Sequence, residues 1–576
     1  MPGLCGIYRM NMPIDCNFST QHGITKTIEK DAALSNVYLR QYSIPKFQND
    51  KMFVNADELF YSLEGTLLNA PELYPEYNAG SKSALIRAMY LNEGIHFVNK
   101  LRGDFSGVIV DKAKQELYLF TNHIGSKRIF YYRNDETKDF FFASDLKVVT
   151  TLMQKYGYPT ELSETGAYCL LTFGFMLRNH TLCKDAIHLE PGTILTLSLN
   201  TGDIKKETYY TLKNTPYIED SEENIIQEME RRFCQAIKRE YDIDKEYGYR
   251  HIVTLSGGLD SRMTLVKGIM LGYGNIRTLT FSQSGYLDQL ISQKIAADLN
   301  CDYVFHALDN GNFLLDIGSS IKANDGLILY GSAAQQLSSA AMLNWDGFGL
   351  LHTGQVGDLI LGSYLQDTSH HPVNNTLIHK IAYSSKLLDK VPDVVLEEIR
   401  NTYDNDEMCA FYERCINGVY NGYYMTQNYS EYASPFLDVD FLDYVMKIPP
   451  KLRYNNKIYA RWITLCTPVA ARYIWEKTGT KINANYFVSL YKRVIRYSKI
   501  HILKCRLISM KPLNHWYSHN PALKAYFDEH FTNGISQLDT YSKLKNDAAG
   551  LYHTGSASEK IQVLTLCEAI KWLRLT

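Results

Sequence analysis

Ser256-Gly257-Gly258-Leu259-Asp260-Ser261 lies between a strand-like run, His251-Ile-Val-Thr-Leu255, and a helical stretch, Met263 to Leu271. Adjacent glycines let a backbone turn tightly and approach a ligand closely. The amides of the helix start and the hydroxyls of Ser256 and Ser261 then suit phosphate oxygens. Asp260, in the same turn, is placed to hold Mg2+ bridging those oxygens. An ordinary glycine turn is the plain alternative, and the correct flanking by strand and helix argues against it.

Downstream, Ile276 to Phe281 reads as a strand, Leu287 to Leu299 as a helix and Asp302 to His306 as a strand. This alternation predicts a doubly wound parallel sheet, which binds ligands where strand ends meet helix starts. From about Asn374 to Thr576 the period is mostly helical, without an internal repeat. Upstream, Glu219 to Lys245 places Ile225, Met229, Phe233 and Ile237 at helical spacing, which predicts the helix that opens this domain. Earlier still, Glu58 to Leu63, Gly107 to Asp111, Glu116 to Phe120, Arg128 to Tyr132 and Thr193 to Ser198 alternate as short strands. They predict a separate β-rich domain. With 576 residues the chain is too long for one ordinary core, and the division is expected at 1–212 and 213–576.

Sixty Lys and Arg against 62 Asp and Glu leave no global charge for wrapping nucleic acid. The eleven cysteines are scattered without a C-x-x-C pair, which argues against a zinc site and for reduced thiols in the cytoplasm. Met1 to Cys16 lacks the apolar core of a secretory signal, and Ala167 to Leu177 is too short to span a bilayer. From Lys451 to Lys511 the single acid is Glu476, so an anionic substrate or membrane surface is a candidate partner there. Phe487 to Leu507 is read as a basic segment with apolar positions between the charges. A solvated basic face on a core helix is the simpler account.

The glycine loop resembles the pyrophosphate-binding loop of the ATP pyrophosphatase superfamily. Three further blocks, in family order, resemble asparagine synthetases: Leu351-His-Thr-Gly354-Gln355-Val-Gly357-Asp358, Glu431-Tyr-Ala-Ser-Pro435-Phe436-Leu-Asp438 and Lys457-Ile-Tyr-Ala-Arg461. The resemblance implies an adenine nucleotide α-hydrolase-like domain that binds ATP and Mg2+. It would adenylate a carboxylate with release of pyrophosphate and pass the acyl group to ammonia or an amine. Asp260 and Asp358 would share the metal, and Lys457 would face the charge of the adenylation transition state. Leu255, Ser256, Gly257, Gly258, Asp260, Ser261, Phe281 and Gly354 would contact the nucleotide. Asp288 matches a family acid, with a plain helix charge as the alternative.

Leu4-Cys5-Gly6-Ile7, Gly65, Gly80-Ser81, Leu101-Arg-Gly-Asp-Phe105, Phe142-Ala-Ser144 and Pro191-Gly192 resemble the glutamine amidotransferase domain of the same family, an αββα Ntn-hydrolase fold. By that resemblance Cys5 would be the nucleophile. In the family, however, the cysteine begins the mature chain and its own amine is the base, whereas four residues precede Cys5. Glu64 stands where the family has an asparagine that holds glutamine, and Lys82 where it has an acid for the substrate amine. Glutaminase activity is therefore not expected, and Cys5 is expected to be structural.

Gln355 replaces the acid that follows the first glycine of the second loop, and a neutral amide cannot take a proton from an amine. His352 and Glu431 are the candidate replacement bases, a core histidine being the alternative for His352. Arg262 is expected either to pair with a phosphate or acyl group or to face solvent. β-Lactam synthetases and lasso-peptide cyclases are relatives with such departures, so the acid and amine are open. Two competing readings are an active glutamine-dependent asparagine synthetase and a non-catalytic scaffold.

Overall fold

The computed structural model describes residues 2–10, 12–20, 27–484, 495 and 509–576. Two six-stranded antiparallel sheets form the first half. One runs β10 (Ile187–His188), β8 (Phe130–Arg133), β9 (Phe140–Ala143), β1 (Gly3–Tyr8), β3 (Val37–Ser43), β2 (Ile28–Leu34). The other runs β12 (Ile204–Thr208), β11 (Thr193–Ser198), β7 (Glu116–Thr121), β6 (Gly103–Asp111), β5 (Leu59–Leu67), β4 (Phe53–Asn55). Leu39, Phe60, Val108 and Leu195 pack between the sheets.

Helices α1 (Ala70–Tyr77) and α2 (Lys82–Glu93) share a core with β5, β6 and β7 on one outer face. Helices α3 (Leu146–Lys155) and α4 (Glu164–Phe173) cover the other. The result is the expected αββα sandwich. Sheets covered on both faces bury nearly every side chain, which is why β1, β5 and β9 are buried throughout. It also explains why Phe140-Phe-Phe-Ala143 shows no polar alternation.

The second half is built on five parallel strands in the order β15 (Asp302–Ala307), β14 (Ile276–Ser282), β13 (Arg250–Thr254), β16 (Phe348–His352), β17 (Tyr432–Ala433). Helix α5 (Glu222–Glu246) precedes it, capped by Ser221, whose Oγ accepts from the Asn224 amide at 3.2 Å; Glu222 and Glu223 lie in its positive first turn. Helices α6 (Asp260–Met270) and α7 (Leu287–Asp298) follow β13 and β14, so the predicted doubly wound pattern is present.

The two halves share one core. Helix Ala557–Leu573 packs with α3 and α4, and the Thr576 amide donates to Thr160 O at 2.9 Å. Among the described residues no helix is long and apolar enough to cross a membrane. The basic segment expected at Phe487 to Leu507 lies outside the described residues, apart from Ile495. Two members of the wider basic run are already paired. Arg453 is fully buried on Glu407 at 2.6 and 2.8 Å, and Arg461 bonds Glu222 and Glu223 at 2.8 and 3.0 Å.

Candidate active site

The glycine loop begins where β13 ends. Leu255 is buried and continues the ladder, its amide donating to Leu279 O at 2.9 Å, so it can offer a ligand little beyond backbone. The hydroxyls of Ser256 and Ser261 lie 3.1 Å apart across the turn. Asp288 Oδ1 accepts the Gly257 amide at 2.7 Å, so this acid holds the loop rather than standing as a loose helix charge. Neither expectation for Arg262 holds. Its guanidinium is fully buried and donates to the carbonyls of Gly257 (3.0 Å), Ala470 (3.0 Å) and Ile474 (2.8 Å), tying the loop from below.

The second loop leaves β16 beside it. A Cβ on Gly354 would stand 2.2 Å from the Ser261 amide nitrogen, and one on Gly357 2.6 Å from Asp260 Cγ. Only glycine permits this approach. Between them Val356 adopts φ +72°, a strained conformation for a β-branched residue of the kind that collects at functional sites.

The approach brings Asp358 onto Asp260: the Asp358 amide donates to Asp260 Oδ2 at 2.9 Å. Asp358 Oδ2 in turn accepts from Ser363 Oγ at 3.0 Å. Burial and the neighbouring Asp358 charge push the Asp260 carboxyl up to about 8, although both side chains keep some exposure to solvent.

Helix Lys457–Cys466 starts at this pair. Tyr459 Oη donates to Asp260 Oδ1 at 2.7 Å, while Lys457 is exposed at the first position of the helix. Tyr459 carries no charge to mark it within Lys457-Ile-Tyr-Ala-Arg461; its burial two residues after an exposed lysine marks the inward face of that helix. Phe281 is the penultimate residue of β14, the strand beside β13, and is half-buried. Gln355 is held by its amide, Nε2 donating to Val419 O at 3.1 Å.

Neither replacement base is free to act. Glu431 is buried just before β17, with Oε1 2.8 Å from Lys51 Nζ and Oε2 2.5 Å from Lys127 Nζ. Burial opposes its charge, but the two lysines outweigh burial and hold it down at about 2, too acidic to take a proton from an amine. His352 is fully buried under the sheet. Its Nε2 bonds Asp244 at 2.8 Å and its ring stacks on Tyr241, centroids 4.0 Å apart. Burial disfavours its charge, yet Asp244 and Glu240 hold it up at about 9. It is a buried ion-pair member, as the core-histidine alternative would have it.

In the first half, Cys5 lies in the middle of β1, paired with Arg40 on one side and Ala143 on the other. The thiol is 1% exposed, and burial pushes its pKa far above the usual thiol range. A thiolate nucleophile needs the opposite environment, and this setting suits a structural cysteine. Glu64 is buried on Lys51 at 3.2 Å, joining the Glu431 cluster. Lys82 is likewise consumed, 2.8 Å from Asp50 and 3.0 Å from Glu246.

A family model described as a glutamine amidotransferase domain matches residues 26–210. The chain is 24% identical over 261 residues to the putative asparagine synthetase [glutamine-hydrolyzing] 2 of Methanocaldococcus jannaschii, covering 43% of this chain and 49% of that protein. It is 24% identical over 368 residues to the probable asparagine synthetase [glutamine-hydrolyzing] of Acanthamoeba polyphaga mimivirus, covering 63% and 59%. The match thus spans about half to three-fifths of the length of these relatives. A solved glutamine phosphoribosylpyrophosphate amidotransferase from B. subtilis aligns at 10% identity over 53% of this chain and 91% of its own, with a TM-score of 0.26, too slight to bear on the fold. The ordered blocks around two glycine loops, the acid pair they bring together and these matches agree: residues 26–210 match a glutamine amidotransferase domain, and the chain is similar to asparagine synthetases.

Proposed function

We propose that the chain is an ATP-dependent amide-forming ligase. A substrate carboxylate attacks the α-phosphorus of ATP and pyrophosphate leaves. Ammonia or an amine then attacks the acyl carbon and AMP leaves. Residues 213–576 would carry this chemistry, and 1–212 would be an amidotransferase-like domain without glutaminase activity. The scattered free thiols among the described residues suit a reducing, cytoplasmic setting.

The observation that carries the reading is the Asp260–Asp358 contact at the mouth of the parallel sheet. The Asp358 amide on the Asp260 carboxyl brings the two acids into one site, and burial with the Asp358 charge pushes Asp260 up to about 8, so its charged form calls for a cation and the donor set fits Mg2+. Asp260 and Asp358 would hold the ion, which when bound would screen the charge of the triphosphate. The helix-start amides of α6 and the hydroxyls of Ser256 and Ser261 would bind phosphate oxygens. Lys457 would add a point charge where negative charge crowds in the transition state.

The test is pyrophosphate and AMP release from ATP by purified protein offered a panel of carboxylic acids with ammonia or amines. Asp260→Asn should abolish it. Release that persists in Asp260→Asn, or no ATP retained in the presence of magnesium, would sink the reading.

A further inference from the structure

A cavity of about 250 Å3 opens beside the second glycine loop, between the turn at Phe175, the helix Tyr330–Ala341 and the helical stretch Ala410–Asn428. Gln355 lines it, and its chain neighbour Gly354 packs on Ser261. Tyr423, on the same wall, has its hydroxyl bonded by Gln336 and by Thr254, the last residue of β13. The cavity therefore abuts the nucleotide loop.

Two polar atoms in its wall lack partners: Gln335 Oε1 and Gln355 Oε1 are buried and accept no hydrogen bond. The Gln355 amide is oriented by its Nε2 bond to the Val419 carbonyl, which can only accept, so the oxygen is the free end. Gln335 is 8% exposed. A buried amide oxygen without a donor costs ~1–3 kcal/mol, so a ligand that brings N–H groups is favoured.

The charge around these oxygens narrows the ligand further. Among the described residues no carboxylate lines the cavity and its one charged side chain is Arg414, a cation whose guanidinium lies over the Phe175 ring at 5.5 Å. A carboxylate would keep a proton on an amine; neutral oxygens beside a cation favour the free base, which is the nucleophilic form. The volume is several times the ~30 Å3 that one water occupies in the liquid, and Phe175 and Leu329 offer apolar walls.

We propose that this cavity receives the acceptor amine of the ligase as its free base: a primary amine on an apolar alkyl or aromatic body, its N–H groups donated to Gln335 and Gln355. The proposal rests on the ligase reading and names its nucleophile. The amine nitrogen forms the C–N bond with the acyl carbon, the C–O bond to AMP breaks with its electron pair on AMP, and the surplus N–H proton passes to water.

The experiment is calorimetric titration of the full chain with 2-phenylethylamine and, separately, ammonium chloride, each with and without ATP and magnesium. The phenylethylamine should bind saturably, at least about tenfold more tightly than ammonium, and Gln335→Leu should weaken it about tenfold, the scale of one hydrogen bond. Gln335→Leu should also raise thermal stability, because it removes a buried oxygen that accepts no hydrogen bond, so lost binding cannot be blamed on misfolding. Ile328→Trp, which fills the cavity, should abolish amine binding while ATP is retained. Equal binding of ammonium and phenylethylamine, or no change in Gln335→Leu, overturns the proposal. Amine binding in a protein that does not retain ATP supports the cavity assignment and overturns the ligase reading instead.

Discussion

Lys127 Nζ lies 2.5 Å from Glu431 Oε2, joining residues 304 apart in sequence, while Lys51 Nζ holds the other oxygen at 2.8 Å. Glu431 immediately precedes β17, and Ala433 in that strand accepts both the amide and the hydroxyl of Thr353 at 2.9 Å. Ser434 Oγ donates to Gln355 O at 2.8 Å. Lysines of the first half thus brace, through one short strand, the loop that carries Asp358.

Glu431→Gln should accordingly destabilise the whole chain. The change leaves Lys51 and Lys127 buried with only Glu64 between them, and breaking a buried pair typically costs ~3–5 kcal/mol. The carboxyl of Glu431 is held below its unfolded value, so its contribution is present above about pH 4.5 and is lost as acid carries it through about 2. Urea denaturation of both proteins at neutral pH measures the difference. A midpoint unmoved by the substitution would show that the cluster carries no net stability.

Lys457 separates function from stability. Its side chain is exposed, so Lys457→Ala should change stability by no more than ~0.5 kcal/mol. If the ammonium meets the charge of the adenylation step, pyrophosphate release should fall by ~100-fold or more, the scale for removing one electrostatic stabiliser. Single-turnover release with saturating ATP reads the step directly. Wild-type rates in the variant would move the role to another cation.

Cys5→Ala should cost on the order of 1 kcal/mol, as for an average buried substitution, and leave amine-dependent product formation intact. Glutamine should yield no glutamate with either protein, because the thiol is buried and carries no thiolate near neutral pH. Glutamate release that disappears in Cys5→Ala would reinstate the active-amidotransferase reading.

Asp358→Asn should raise the thermal midpoint of the ligand-free protein, since it relieves the charge repulsion with Asp260. The same change should remove the stabilisation that ATP with magnesium confers on the unsubstituted chain, and chelating the metal should mimic that loss. Thermal scans with and without ATP, magnesium and chelator distinguish the two effects. A variant less stable than the parent without ligand, yet still stabilised by ATP with magnesium, would remove Asp358 from the metal site.

The parallel sheet and its glycine loop were legible because their signals are local: strand, two glycines and helix follow one another in the chain. Asp260 and Asp358, 98 residues apart, could be joined only by resemblance, and the glycines at 354 and 357 are the local trace of their contact. The fates of Arg262, His352 and Glu431 were hidden. Each is a polar residue whose role depends on burial and on partners far along the chain, such as the carbonyls of Ala470 and Ile474 or the amines of Lys51 and Lys127. Residue type announces the charge but not whether the fold leaves it free.

His352 offers the clearest pH dependence. Its imidazole faces Asp244 at 2.8 Å and Glu240 at 3.3 Å, with His251 bonded to the same Asp244 oxygen at 2.8 Å. Because its pKa is raised to about 9 from an unfolded value near 6.5, its contribution is complete below about pH 6.5 and fades as pH rises through about 9. Glu240, pushed up by burial to about 7, strengthens the pairing as it ionises in the lower part of that window. His352→Gln removes the cation that Glu240 and Asp244 share and should cost ~3 kcal/mol at neutral pH. That deficit should shrink as pH rises from about 6.5 through about 9, above which the parent histidine is itself neutral. Denaturation midpoints of parent and variant across this range test the assignment; a deficit that stays constant through the alkaline limb would mean that His352 is neutral in the fold and acts by packing on Tyr241 alone.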